Sequence, residues 1–81
     1  MDVKKIESII EAILFTMGNS VEASRIANVI EQDTKTTKKI IRNMMLRYEE
    51  EDRGIRILEL EDSYQMCTKK EMYEYQELRL R

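Results

Sequence analysis

The chain has 81 residues, 42% hydrophobic and 37% charged, with a formal net charge of −2. That length supports one small core, and the near balance of charge supplies no overall field drawing the chain to nucleic acid. The absence of histidine and the single cysteine, Cys67, exclude histidine zinc sites, histidine bases, Ser-His-Asp triads and an internal disulfide.

The lone cysteine fits a reducing cytoplasm. No apolar run approaches the ~20 residues of a membrane span, and the opening residues do not read as a signal peptide. No cofactor or metal is expected.

The spacing predicts a first helix over Val3 to Met17. Ile6, Ile9, Ile10, Ile13, Leu14 and Met17 recur at helical intervals on one apolar face. Gly18-Asn19 ends it, since both residues tolerate the left-handed conformation of a C-cap. Ser20-Val21 is placed to add a short edge strand. A second, short helix runs from about Glu22 or Ala23 to Glu31, with Ala23, Ile26, Ala27 and Ile30 inward. Asp33 or Thr34 caps a third helix that reaches about Asp52, its core face being Thr37, Ile41, Met44, Met45 and Tyr48, with Ile40 at the margin.

Glu49, Glu50, Glu51 and Asp52 crowd the end of that helix. Negative charge there opposes the helix dipole, at about 0.3–1 kcal/mol per poorly screened residue, and Arg53 and Gly54 are the expected remedies. Ile55 to Leu60 then reads as a strand, with Ile55 and Ile57 on one face and Leu58 and Leu60 on the other. A turn at Glu61-Asp62-Ser63 leads to a second strand, Tyr64 to Thr68. Lys69-Lys70 opens a last helix, with Met72, Tyr75 and Leu78 as contacts. Three helices, an antiparallel wing of two or three strands and a C-terminal helix make an α+β winged helix-turn-helix, one domain over residues 1–81.

Two functions compete for that fold. Lys35, Lys38, Lys39 and Arg42 form a cationic stripe on the third helix, the element that would enter a major groove. They would serve a winged-helix DNA-binding transcriptional regulator, or they are a solvated face. The wing speaks against DNA: Glu59, Glu61 and Asp62 would repel phosphate, and the sequence shows no basic residue beside them. The other function is protein binding. Leu46 projects among the lysines, Phe15 projects opposite Ile6 and Ile13, and Tyr73 pairs apolar area with a polar tip. Leu46 is the stronger candidate for contact with a second chain. Cys67 reads as a small hydrophobe in a strand, and the methionines as core filler.

Four segments in order carry a family resemblance. Ile9-Ile10-Glu11-Ala12-Ile13-Leu14-Phe15-Thr16-Met17-Gly18 resembles the opening helix of segregation and condensation protein B. Tyr48-Glu49-Glu50-Glu51-Asp52-Arg53-Gly54-Ile55 is similar to its helix-to-strand junction. Ser63-Tyr64-Gln65-Met66-Cys67-Thr68-Lys69 is similar to a strand of its wing, and Tyr73-Glu74-Tyr75 to the helix after it. Gln76 stands where the family has an apolar residue, and Glu77 to Arg81 match poorly.

The resemblance implies a non-catalytic accessory subunit of the bacterial SMC condensin complex. Such a subunit forms a homodimer and binds the kleisin, segregation and condensation protein A, and through it the SMC ATPase, in chromosome condensation and segregation. The family has two tandem winged-helix domains, and this chain resembles the first, a dimerisation module. It implies weak direct DNA binding at most, no membrane, and a cytoplasmic, nucleoid-associated location.

Overall fold

The computed structural model describes residues 2–80, with side chains as far as Gln76. Helix α1 (Val3–Met17) begins at Asp2, whose carboxylate accepts from the Lys4 N–H. It stops at Gly18, whose φ of 72° suits a residue without Cβ. The strand β1 (Val21–Glu22) follows, then α2 (Ala23–Ile30) and α3 (Thr34–Glu50). Asp33 is the cap expected for α3: its carboxylate accepts from the Thr36 N–H at 2.6 Å. Those Thr36 contacts hold the Asp33 carboxyl below its ordinary range.

The wing is β2 (Ile55–Leu60) and β3 (Ser63–Thr68), and β1 completes an antiparallel sheet of order β1-β3-β2. Leu60 pairs with Ser63, so the turn is Glu61-Asp62 alone and Ser63 already belongs to β3. Glu61 takes a φ of 58°, which a two-residue hairpin turn requires and which glycine or asparagine adopts more readily. The Ala23 N–H donates to the Asp62 carbonyl at 2.7 Å and ties the wing tip to the start of α2.

The core is shared by all these elements. Ile6, Ile10 and Leu14 of α1 meet Ile26 and Ile30 of α2, Ile41 and Met44 of α3, and Ile57 and Tyr64 of the wing. The apolar stripe of α1 is wider than the wedge it buries. Ile9 and Ile13 are only half-buried and Met17 is exposed, so the expectation that all six residues face inward holds for three. On α3, Thr37, Ile41, Met44 and Tyr48 are buried, while Ile40 and Met45 pack at the margin. Thr37 satisfies its hydroxyl by donating to the Asp33 carbonyl at 2.8 Å.

The acidic end of α3 is held by more than Arg53. The Lys69 ammonium, on a side chain that is buried, donates to the Glu51 carbonyl at 2.9 Å. A cation thus sits where the helix leaves its last carbonyls free. Arg53 donates to Glu51 at 2.7 Å and lies over the Tyr48 ring. Arg56 Nε lies 2.8 Å from Glu49, but its N–H is poorly aimed there, so this is an ion pair without a hydrogen bond.

The last segment, Lys70–Leu80, is a 3-10 helix, tighter than the α-helix that a C-terminal helix would ordinarily form. Met72 packs within 3.7 Å of where a Cβ on Gly54 would stand, as its expected contact role requires. Tyr75 does not fill such a role. It is exposed because, among the described residues, no other element packs closely along this segment. The Leu78 side chain lies outside the described residues. Gln76 buries its amide nitrogen without a partner among the described residues, at a position where the resemblance leads one to expect an apolar side chain.

Candidate functional site

The stripe on α3 and the wing tip form one charged layer. Lys38 pairs with Asp62 across 24 residues of sequence, and Arg42 grips Glu59 with two nitrogens, at 2.8 and 3.2 Å. The hydroxyl of the fully buried Tyr64 also donates to Glu59, at 3.2 Å. Hydrogen bonds from Arg42 hold the Glu59 carboxyl below its ordinary range, and Lys38 does the same for Asp62. Burial, with Glu59 next to it, pushes the Tyr64 phenol up to about 12. Two of the three wing acids, Glu59 and Asp62, therefore have basic partners, contrary to the sequence reading. The hairpin folds back over α3 and brings Glu59 and Asp62 to the very cations a DNA-reading helix would present.

Lys35 and Lys39 remain exposed, with no carboxylate partner among the described residues. Half of the cationic stripe is thus engaged within the fold. A duplex would have to displace two ion pairs to contact it, and would meet Glu59 and Asp62 at the same place.

A second charged layer joins α1 to α3. Arg47 pairs with Glu7, and the Tyr48 hydroxyl donates to Glu11. Burial, and then Glu11, pushes the Tyr48 phenol up to about 12. Glu7 and Glu11 of α1 each accept from a side chain of α3, and the cluster reads as a clamp between the helices.

The three apolar candidates are all on the surface: Phe15 is 77% exposed, Leu46 61% and Tyr73 60%. They do not form one site. Phe15 overhangs a groove of about 170 Å³ between α1 and the wing, lined also by Leu14, Ile55, Met66 and Cys67. Neither Leu46 nor Tyr73 lines it. Leu46 stands on α3 among charged neighbours, and Tyr73 on the 3-10 segment. The outer flank of α1 was missed from sequence. Ile9, Ala12, Ile13, Thr16 and Met17 line a shallow, almost wholly apolar depression, and Ala12 also lines a second pocket with Glu11, Phe15, Ile55 and Met66. The signal was present as an apolar arc too wide for one buried wedge. Cys67 is a half-buried free thiol in the groove wall.

Fold and surface together define a winged helix in which two of the four stripe cations on α3 are paired with the wing and the first helix carries exposed apolar area. The comparisons with known proteins agree. The family model for "Segregation and condensation complex subunit ScpB" matches residues 8–79 and so takes in most of the tail that departs from the motif pattern. The chain belongs to that family. It is 60% identical over 74 residues to segregation and condensation protein B of Lachnoclostridium phytofermentans, covering 91% of this chain and 39% of that protein. It is 52% identical over 67 residues to the protein of the same name from Agathobacter rectalis, covering 82% of this chain and 36% of that one. The chain therefore spans well under half the length of these relatives.

Among solved structures, one described as a crystal structure of a dimer of the ScpB N-terminal domain complexed with ScpA peptide superposes with a TM-score of 0.87. It is 32% identical, and the match covers 95% of this chain and 96% of that chain. ScpB from Mycobacterium tuberculosis matches with a TM-score of 0.90 at 22% identity, covering 99% of this chain and 50% of that chain, which establishes the fold.

Proposed function

We propose that this chain is a non-catalytic accessory module of a bacterial SMC condensin complex, one winged-helix domain that pairs with a second copy and binds the kleisin ScpA. It corresponds in this reading to the first of two such domains. It supports chromosome condensation and segregation from a cytoplasmic, nucleoid-associated position. The observation that carries the reading is the match to a domain-length relative, itself described as a dimer with an ScpA peptide, over nearly the whole of both chains. The pairing of Lys38 and Arg42 with the wing supports it, because it weakens the DNA-binding alternative.

Phe15, Leu46 and Tyr73 are the proposed contacts with partner chains, since covering their exposed apolar area is favourable. The test is a fluorescence-anisotropy titration of the chain into a labelled ScpA peptide and, in parallel, into duplex DNA at physiological salt. Saturable peptide binding, weakened about tenfold in a Leu46→Asp/Tyr73→Ala variant, supports the reading. Micromolar DNA binding with no peptide binding would replace it with the regulator using Lys35, Lys38, Lys39 and Arg42.

A further inference from the structure

We infer that the outward line of α3 is a weak contact between copies of this chain set antiparallel, additional to the pairing proposed above, so that it joins one dimer to the next. Lys35, Lys39, Leu46 and Glu50 stand at i, i+4, i+11 and i+15, on one line down the side of α3 that faces away from Thr37, Ile41, Met44 and Tyr48. The line is about 22 Å long. All four side chains are exposed. The charges of α3 that lie beside the line are paired: Lys38 with Asp62, Arg42 with Glu59, Arg47 with Glu7 and Glu49 with Arg56. On the line itself, Lys35, Lys39 and Glu50 have no oppositely charged partner among the described residues.

Two features favour a copy of the chain as the occupant. First, the line reads base, base, apolar, acid, and that order complements its own reversal. Two α3 helices laid antiparallel, with a two-fold axis between Arg42 and Asn43, bring Lys35 opposite the other copy's Glu50 and the aliphatic stem of Lys39 opposite the other copy's Leu46. Near the axis each Arg42 would approach its like, but its own Glu59 offsets that charge. Second, both ends of α3 carry the sign that the helix's own dipole disfavours. Lys35 lies in the first turn and Glu50 is the last residue. An antiparallel copy relieves both ends, because each lysine gains a carboxylate and the two dipoles run in opposite directions. Nucleic acid is the poorer occupant, since Glu50, with Glu49 and Glu51 next to it, would repel phosphate along the second half of the line.

The experiment is sedimentation velocity on the chain at low salt, from micromolar to millimolar concentration, with circular dichroism melts. ScpA peptide is left out, because a peptide seated on Leu46 would compete. The variants are Lys35→Glu, Glu50→Lys and the two together. Each substitution gives its end of α3 the sign the dipole favours, so none should lower the melting temperature. The expected wild type is a dimer that grows into larger, salt-sensitive species as concentration rises. Each single variant should keep the dimer and weaken the larger assembly about tenfold, while the double variant should regain it to within about twofold, since it reverses both members of each pair. A wild type that never exceeds a dimer overturns the inference and leaves the dimeric reading standing. So does larger assembly that survives both single variants or that the double variant fails to regain. Single variants that lose the dimer itself overturn the additional contact and place the dimer contact on α3 instead. A wild type that stays monomeric at every concentration overturns the dimeric reading, and the inference with it.

Discussion

The outward faces of α1 and α3 are opposites. On α3 the outward face is charged, and two of its four stripe cations are closed off by wing carboxylates, Lys38 by Asp62 and Arg42 by Glu59. On α1 one outward flank is apolar and open, with Phe15 and Met17 exposed and Ile9 and Ile13 half covered, while Glu7 and Glu11 pair with α3. A winged helix that reads DNA needs free cations on the third helix. Ion pairs engage half of the stripe that would hold phosphate, and exposed hydrophobic area on another helix is the handle for protein in the proposed function.

The largest expected effect separates the two sides of α1. Ile10→Ala removes a fully buried side chain and should cost about 2–5 kcal/mol of folding stability in denaturant titration. Ile13→Ala, three residues on, should cost less than half as much folding stability and should act mainly on association. Equal folding costs would mean that both sides of the helix serve the core alike.

Next comes the charged face. Glu59→Gln with Asp62→Asn frees Arg42 and Lys38 while keeping groups of the same shape. Duplex DNA affinity at low salt should rise about tenfold or more, and the salt dependence should steepen by up to about two phosphate contacts, each adding ~0.9 to the slope. Unchanged affinity would show that the pairs do not mask the stripe.

Smaller effects follow the pH. Glu59 and Asp62 titrate lower in the folded chain than in the unfolded one, so their contribution is complete above the unfolded values near 4 and is lost as pH falls through the folded ones. Melting temperature should therefore decline on acidification below about pH 4, and less so in the Glu59→Gln/Asp62→Asn variant. Tyr48 and Tyr64 behave in the opposite sense. Their folded values of about 12 exceed the ordinary 10, so their contribution is complete below pH 10 and is lost as pH rises through 12. A second decline at high pH, tracked by tyrosinate absorbance, is the expected signature. The smallest effect is at the wing turn. Glu61→Gly relieves a left-handed residue and should raise stability by about 0.5–1 kcal/mol in a thermal melt.

Much of this fold was legible because its signals are local. The 3.6-residue rhythm of Ile6, Ile10 and Leu14, the stop at Gly18 and the cap at Asp33 act within one or two turns of chain, and the structure has each in place. The helix-to-strand change falls in the expected stretch, but Glu51 and not Gly54 caps α3, and the wing turn is one residue shorter than the sequence suggests, with Ser63 in β3. What could not be read is what distance in sequence conceals. Lys38 meets Asp62, Arg42 meets Glu59, and Lys69 meets the carbonyl of Glu51, each across 17 residues or more. Nothing local distinguishes a paired lysine from a solvated one. The apolar arc of α1 posed the same difficulty, since its spacing marks a helix face but leaves open how much of it neighbours will cover. Periodicity and capping determined where the helices and strands lie. Packing in three dimensions decided which charges are neutralised and which hydrophobic side chains are left for a partner, because both depend on residues brought together only when the chain closes on itself.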